Sequence, residues 1–296
     1  MLLRILDMLR RAMWKAFGHS AFTMAKAAAY SAILSIFPAL LVFTTLLALI
    51  PDTDTTSGEI RSGFEQVLPA DTMSLIQSYF QINHTRSVRL VWSAAFVMLF
   101  AAMGVMMSLM EGLRRAYHLP RGSWGFWRER LIALALVPGT LVPMVFATFI
   151  VAFGHTIENW MIDNADHELR SYVLLLWRMI RWAIAVLTSI TVLTVIYHFG
   201  VQHKRTWRHV LPGAVLATIT WFLTTLLYGW YVTRFADYSV VYGSLGAGVA
   251  TLIWLYMVCL SILIGGEFNA QIFPIAGIAP AGEQENKVTL HDPQTV

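Results

Sequence analysis

The sequence predicts an all-α, polytopic membrane protein with six transmembrane helices. Three observations carry that reading. Apolar residues fill 57% of the 296 positions and charged residues only 13%, against roughly 25% charge in a soluble domain. Six separate runs approach the ~20 residues that a helix needs to cross ~30 Å of hydrocarbon. Runs of this length satisfy their backbone groups internally as helices, and they are too long for the strands of a membrane barrel.

Residues 1–26 come first. Leu2, Ile5, Leu6, Leu9, Met13 and Phe17 fall on one helical face, with Arg4, Asp7, Arg11 and Lys15 opposite. This is a basic amphipathic helix that either lies on the cytoplasmic membrane surface or caps the bundle. The interrupting charges exclude a cleavable signal. A single transmembrane domain, 27–273, then holds spans at 27–50, 91–110, 131–153, 182–199, 210–232 and 245–266. Arg178 and Arg181, three residues apart just before the fourth apolar core, read as snorkelling at an interface. Between the first two spans, Pro69 divides Pro51 to Arg89 into a short external helical hairpin, with Asp71 or Thr72 capping its second half. Residues 274–296, rich in Gly, Pro and polar side chains, are expected to be a disordered cytoplasmic tail.

Orientation follows from Lys and Arg in alternate connections. Fourteen lie with the N-terminal segment, the second and fourth connections and the tail, against five on the opposite side, Arg61, Arg86, Arg89, Arg170 and Arg234. Both termini should therefore be cytoplasmic. The net charge of +4 is what this asymmetry already requires, so it does not argue for nucleic acid. A single cysteine, Cys259, excludes a disulfide framework and a cysteine metal cage.

No metal or cofactor motif is legible. The densest ligand cluster, His155, Glu158, Asp163, Asp166, His167 and Glu168, reads as an ordinary acidic loop because nothing fixes its geometry. Within the spans, Thr188, Thr191, Thr194 and His198 recur at helical spacing and form a candidate polar face. That face either lines a pathway or bonds its own backbone. Small residues mark helix contacts: Ala25, Ala28, Ala29 and Ala32, then Gly104 and Ser108, Gly213 and Ala217, and Gly243, Gly246, Ala247 and Ala250. Pro38, Pro138 and Pro143 should kink or break the first and third spans.

The stretch "ILIGGEFNAQIFP" places Glu267 and Asn269 where the last apolar run ends. A carboxylate at a helix C-terminus opposes the macrodipole. Either the helix continues toward Pro274, or a cation holds Glu267. Lys26, Arg114 and Arg115 are the candidate partners, and the expectation is an interhelix latch beside a close approach at Gly265 and Gly266.

Several motifs together resemble one family. "AAAYSAILSIFPALLVF" resembles its first-span signature, and "VYGSLGAGVATLIWLYMVCLSILIGGEFNAQ" its last span. "LPA" at Leu68 and "VLPGAVLATITW" at Val210 also match. The family is the YihY / virulence factor BrkB family of bacterial inner-membrane proteins, and the likeness runs from about Lys26 to Ile272. "EGLRRAYHL" departs from it, carrying Arg114 where the family commonly has Asn. The resemblance implies a multi-pass protein of the bacterial inner membrane. It also brings the label "ribonuclease BN", for which these residues supply no metal or acid–base constellation. The expected function is a transporter or lipid-handling component of the envelope without catalysis. A scaffold docking a periplasmic partner is the alternative, and a membrane ribonuclease the third reading. Membrane lipids are the expected partners, with an envelope protein or a second copy of the chain left open and nucleic acid excluded.

Overall fold

Apolar runs fix where a helix must be, and the polar residues beside them decide how far it extends. The computed structural model describes residues 2–47, 88–120, 125–164, 170–201, 206–234 and 245–275. They form seven helices: α1 Leu2–Gly18, α2 Ala21–Leu47, α3 Val88–Ala116, α4 Phe126–Asn164, α5 Arg170–Gly200, α6 Trp207–Arg234 and α7 Gly246–Ile272. Each of α2 to α7 holds a stretch long and apolar enough to cross a membrane. The predicted hairpin lies outside the described residues except for its last two, which begin α3, and the tail lies outside them from residue 276.

The helices overrun the apolar cores that announced them. Once nucleated, a helix gains one bond per added residue, so interfacial residues extend it cheaply. α4 runs on to Asn164 through His155 and Glu158, where the sequence predicted a loop. α5 starts at Arg170, well before the predicted 182. Arg178 there is exposed, as a snorkelling side chain would be, but Arg181 is buried. Pro38 lies inside α2, and Pro138 and Pro143 lie inside α4. None of them breaks its helix. α7 likewise passes straight through Gly265 and Gly266 to Ile272, and the Phe273 N–H closes its end on the Asn269 carbonyl at 2.9 Å.

Successive spans are neighbours from α2 to α7, and α7 returns to α2, so the six close into a ring. α7 also touches α1 and α3. Among the described residues, packing is densest at the end that carries α1. There, every residue of α7 from Ser261 to Asn269 is buried, together with Leu109 and Leu113 of α3, Tyr117 just after it, and Leu193, Ile196 and Tyr197 of α5. Away from that end α3 exposes Trp92, Phe96 and Phe100, and α7 is only half-buried over Leu255 to Val258.

Lipid supplies no hydrophobic drive between helices, so packing must come from close backbone approach. The closest approach joins α6 to α7. A Cβ on Gly213 would collide with the Gly265 carbonyl oxygen, and one on Gly265 would lie 2.6 Å from the Tyr197 hydroxyl and 2.7 Å from Ala217 Cβ. Gly265→Ala is therefore expected to destabilise the purified protein by about 1–3 kcal/mol through overpacking. Gly139→Ala, where a Cβ meets nothing within 4 Å, should leave thermal unfolding in detergent nearly unchanged.

Candidate functional site

Polar side chains gather along the last turns of α7, where it meets α6, α3 and the turn after α1. The gathering starts from a weak turn in α6. Pro212 has no N–H, and its ring crowds the preceding turn. The next N–H, of Gly213, donates to Asn269 Oδ1 at 2.7 Å, and Asn269 Nδ2 donates to the Val210 carbonyl at 2.8 Å. One amide thus satisfies a donor and an acceptor of the facing backbone, in full burial. Aspartate would lack the donor, and glutamine would force apart backbones already in contact. From α5 the Tyr197 hydroxyl donates to the Ile262 carbonyl at 2.5 Å, which ties a third helix to the same turns of α7.

Glu267, 2% exposed, lies on these turns and bonds His19 Nδ1 through Oε1 at 2.8 Å. Its Oε2 has no protein partner. The structure thus corrects the expected latch: the partner is His19, not Lys26, Arg114 or Arg115. Lys26 is exposed on α2. Arg114 bonds Glu111 through Nε at 2.7 Å and through Nη2, and Arg115 bonds it through Nε at 2.9 Å. Glu111 lies one turn back on the same helix, so both guanidiniums find their carboxylate at i−3 and i−4 spacing. Sequence reasoning missed His19 because it counted cations as Lys and Arg alone. The available signal was "FGHSAF", a titratable residue at a helix-stopping Gly-His-Ser.

The backbone beside this pair is strained. Ser20 and His118 have φ of 62° and 55°, a left-handed conformation that costs non-glycine residues about 1–2 kcal/mol. Ser20 ends α1 and starts α2, its carbonyl accepting from Met24 N–H at 3.1 Å. His118 occupies the usual glycine position after α3. Its N–H reaches the Arg115 carbonyl and that of Leu119 the Arg114 carbonyl, each at 3.0 Å, the paired bonds of a Schellman end. The turn sets the His118 ring edge-on to His19, centroids 4.6 Å apart. Burial, then the nearby His19 and Lys15, hold His118 below its ordinary pKa, with Glu267 opposing. Gly18, His19 and Ser20 face Arg114, Arg115 and Leu119 across a cleft of about 350 Å³.

The other predicted face does not join this site. Thr191 is exposed and bonds the Leu187 carbonyl at 2.8 Å, whereas Thr194 is buried and bonds the Ile190 carbonyl at 2.7 Å. Thr188 is half-buried. The ring of His198 stacks on Trp207, centroids 4.2 Å apart. Thr191 and Thr194 thus bond their own backbone. Among the described residues no group of three or more His, Cys, Asp or Glu is placed to hold a metal ion.

The family model described as Virulence factor BrkB matches residues 14–285. The chain belongs to the BrkB family. This BrkB-family chain is 33% identical over 244 residues to a Bacillus subtilis protein named ribonuclease-like protein YfkH, covering 82% of this chain and 86% of that one. It is 24% identical over 268 residues to a UPF0761 membrane protein of Chromohalobacter salexigens, 90% of this chain and 63% of that one. A third relative, UPF0761 membrane protein AZOSEA40600 of Aromatoleum aromaticum, is 23% identical over 252 residues, 82% of this chain and 58% of that one. The chain therefore spans less than two thirds of these UPF0761 relatives. No solved structure matches it.

Two outcomes are expected of this site. Glu267→Gln keeps the shape but removes the charge that His19 meets, and should lower stability in detergent by about 1–3 kcal/mol. Unchanged melting together with lost activity would instead identify Glu267 as a functional acid. His118 is held below its reference value of 6.5, so the unfolded chain binds a proton that the folded chain resists. That contribution to stability is present above pH 6.5 and is lost as pH falls below it. His118→Asn, which tolerates the left-handed backbone, should flatten that part of the melting-temperature profile.

Proposed function

We propose that this BrkB-family membrane protein is a transporter or lipid-handling component of the bacterial envelope, without catalytic activity. One observation carries the reading: among the described residues the α1 end buries α7 continuously from Ser261 to Asn269, whereas away from it α3 exposes Trp92, Phe96 and Phe100 and α7 keeps its bonds to α6, from Tyr228 to the Ala250 carbonyl and from Trp254 to Thr225. Transport by alternating access needs one group of helices to rock against another about a fixed region, and in this reading the densely packed α1 end serves as that region. Asn269 and Tyr197, which join α7 to α6 and α5, and Glu267, which ties α7 to the turn between α1 and α2, support it further. In this reading the chain lies in the inner membrane with both termini cytoplasmic, the side that its excess of Lys and Arg selects.

The relative YfkH carries a ribonuclease-like name, so nuclease activity belongs in the test. Purified protein in proteoliposomes should move labelled phospholipid or lipid-linked sugar faster than empty vesicles do. The same preparation should leave RNA intact with divalent metal. No movement of any envelope lipid, with RNA cleavage that substitution of His19 or Glu267 abolishes, would replace transport with hydrolysis.

A further inference from the structure

We propose that the cleft between the α1–α2 junction and the end of α3 binds the phosphate of an anionic lipid headgroup. The wall formed by α3 presents Arg114 and Arg115, and the opposite wall presents His19. Both guanidiniums share the single carboxylate of Glu111, so the cluster keeps a positive charge, and Lys15 of α1 adds another close to His118. The second carboxylate, Glu267, is 2% exposed and bonded to His19; it offsets part of that charge, as its pull on His118 shows, and the two guanidiniums with Lys15 still outnumber the two carboxylates. A guanidinium carries five N–H donors in a planar fork suited to phosphate oxygens. The Glu111 bonds occupy Nε and Nη2 of Arg114 and only Nε of Arg115, so donors remain on both. Arg114 is nearly buried and held by Glu111, so little conformational freedom is lost when it meets an anion.

The depth of the cleft favours a lipid over free phosphate. The membrane-spanning stretch of α2 begins at Ala21 and that of α3 ends at Ala116. The lining residues Gly18, His19, Ser20, Arg114, Arg115 and Leu119 thus straddle the level of the headgroups. Beside them α1 exposes Met13, Trp14 and Phe17, the apolar and aromatic surface typical of that layer. Basic pockets between helices at this level bind anionic headgroups. The proposal goes beyond transport and does not require it: a lipid held here can be cargo or a fixed partner of the fold.

The test uses the full-length protein in neutral detergent, melted with phosphatidylglycerol, phosphatidylcholine or inorganic phosphate. Phosphatidylglycerol should raise the melting temperature saturably, and added salt should weaken the effect. Phosphatidylcholine should give little protection. Arg115→Gln should weaken the lipid's apparent affinity about tenfold, one charge-assisted hydrogen bond, and Arg115→Lys should recover part of the loss. Each variant is compared with itself without lipid, so a general loss of stability does not mimic lost binding. If Arg115→Gln does not fold, the salt dependence and the lipid retained by wild type in native mass spectrometry decide. Equal protection by phosphatidylcholine, or unaltered affinity in Arg115→Gln, overturns the site. Equal protection by inorganic phosphate overturns the lipid assignment.

Discussion

Two helix backbones in contact at Gly213 and Gly265, clipped by Asn269, set the register of this bundle. Hydrocarbon rewards helices little for meeting, so van der Waals contact and hydrogen bonds must supply the attraction. Here the two act at one place. The glycines let the backbones touch, and the amide bonds the turn that Pro212 weakens. With α7 fixed in depth and rotation against α6, the Tyr197 hydroxyl reaches the Ile262 carbonyl and Glu267 reaches the α1–α2 junction. A small displacement of α7 would cost all of these contacts together.

The polar node is built on strained backbone. Glycine would occupy the positions of Ser20 and His118 at no conformational cost. At position 118 the chain keeps instead a side chain whose ring meets His19. The bonds from His118 and Leu119 back to α3 hold that conformation, and the same turn positions the arginines that line the cleft. Strain of this kind persists where the surroundings over-determine it, and it gathers at functional sites.

The spans were legible because hydrocarbon admits so few backbone solutions that apolar run length nearly fixes the answer. Helix ends were not, since α4 and α5 continue through charged residues that a hydropathy window discounts. Glycine spacing correctly marked Gly213 and Gly265 as places of close approach. Glu267 was recognisable as buried charge at a helix end, but its partner was not. The choice between His19 and the arginines depended on Glu111 engaging both arginines locally and on a reversal at Ser20 that no periodicity reveals. Threonines at helical spacing left a pathway and ordinary backbone bonding both open, because spacing cannot tell a shared lining from hydroxyls that each bond their own helix, as Thr191 and Thr194 do.

The central position of α7 also has a consequence for biosynthesis. It is the last of the seven helices to leave the ribosome, yet it is the one in contact with α1, α2, α3 and α6. Until it enters the bilayer, His19 lacks its carboxylate and the turn at Gly213 lacks its amide. The earlier helices must be inserted and held without their common partner. A nascent chain stalled before Gly246 would therefore present an unfinished seam to the quality-control machinery of the membrane, however complete its topology.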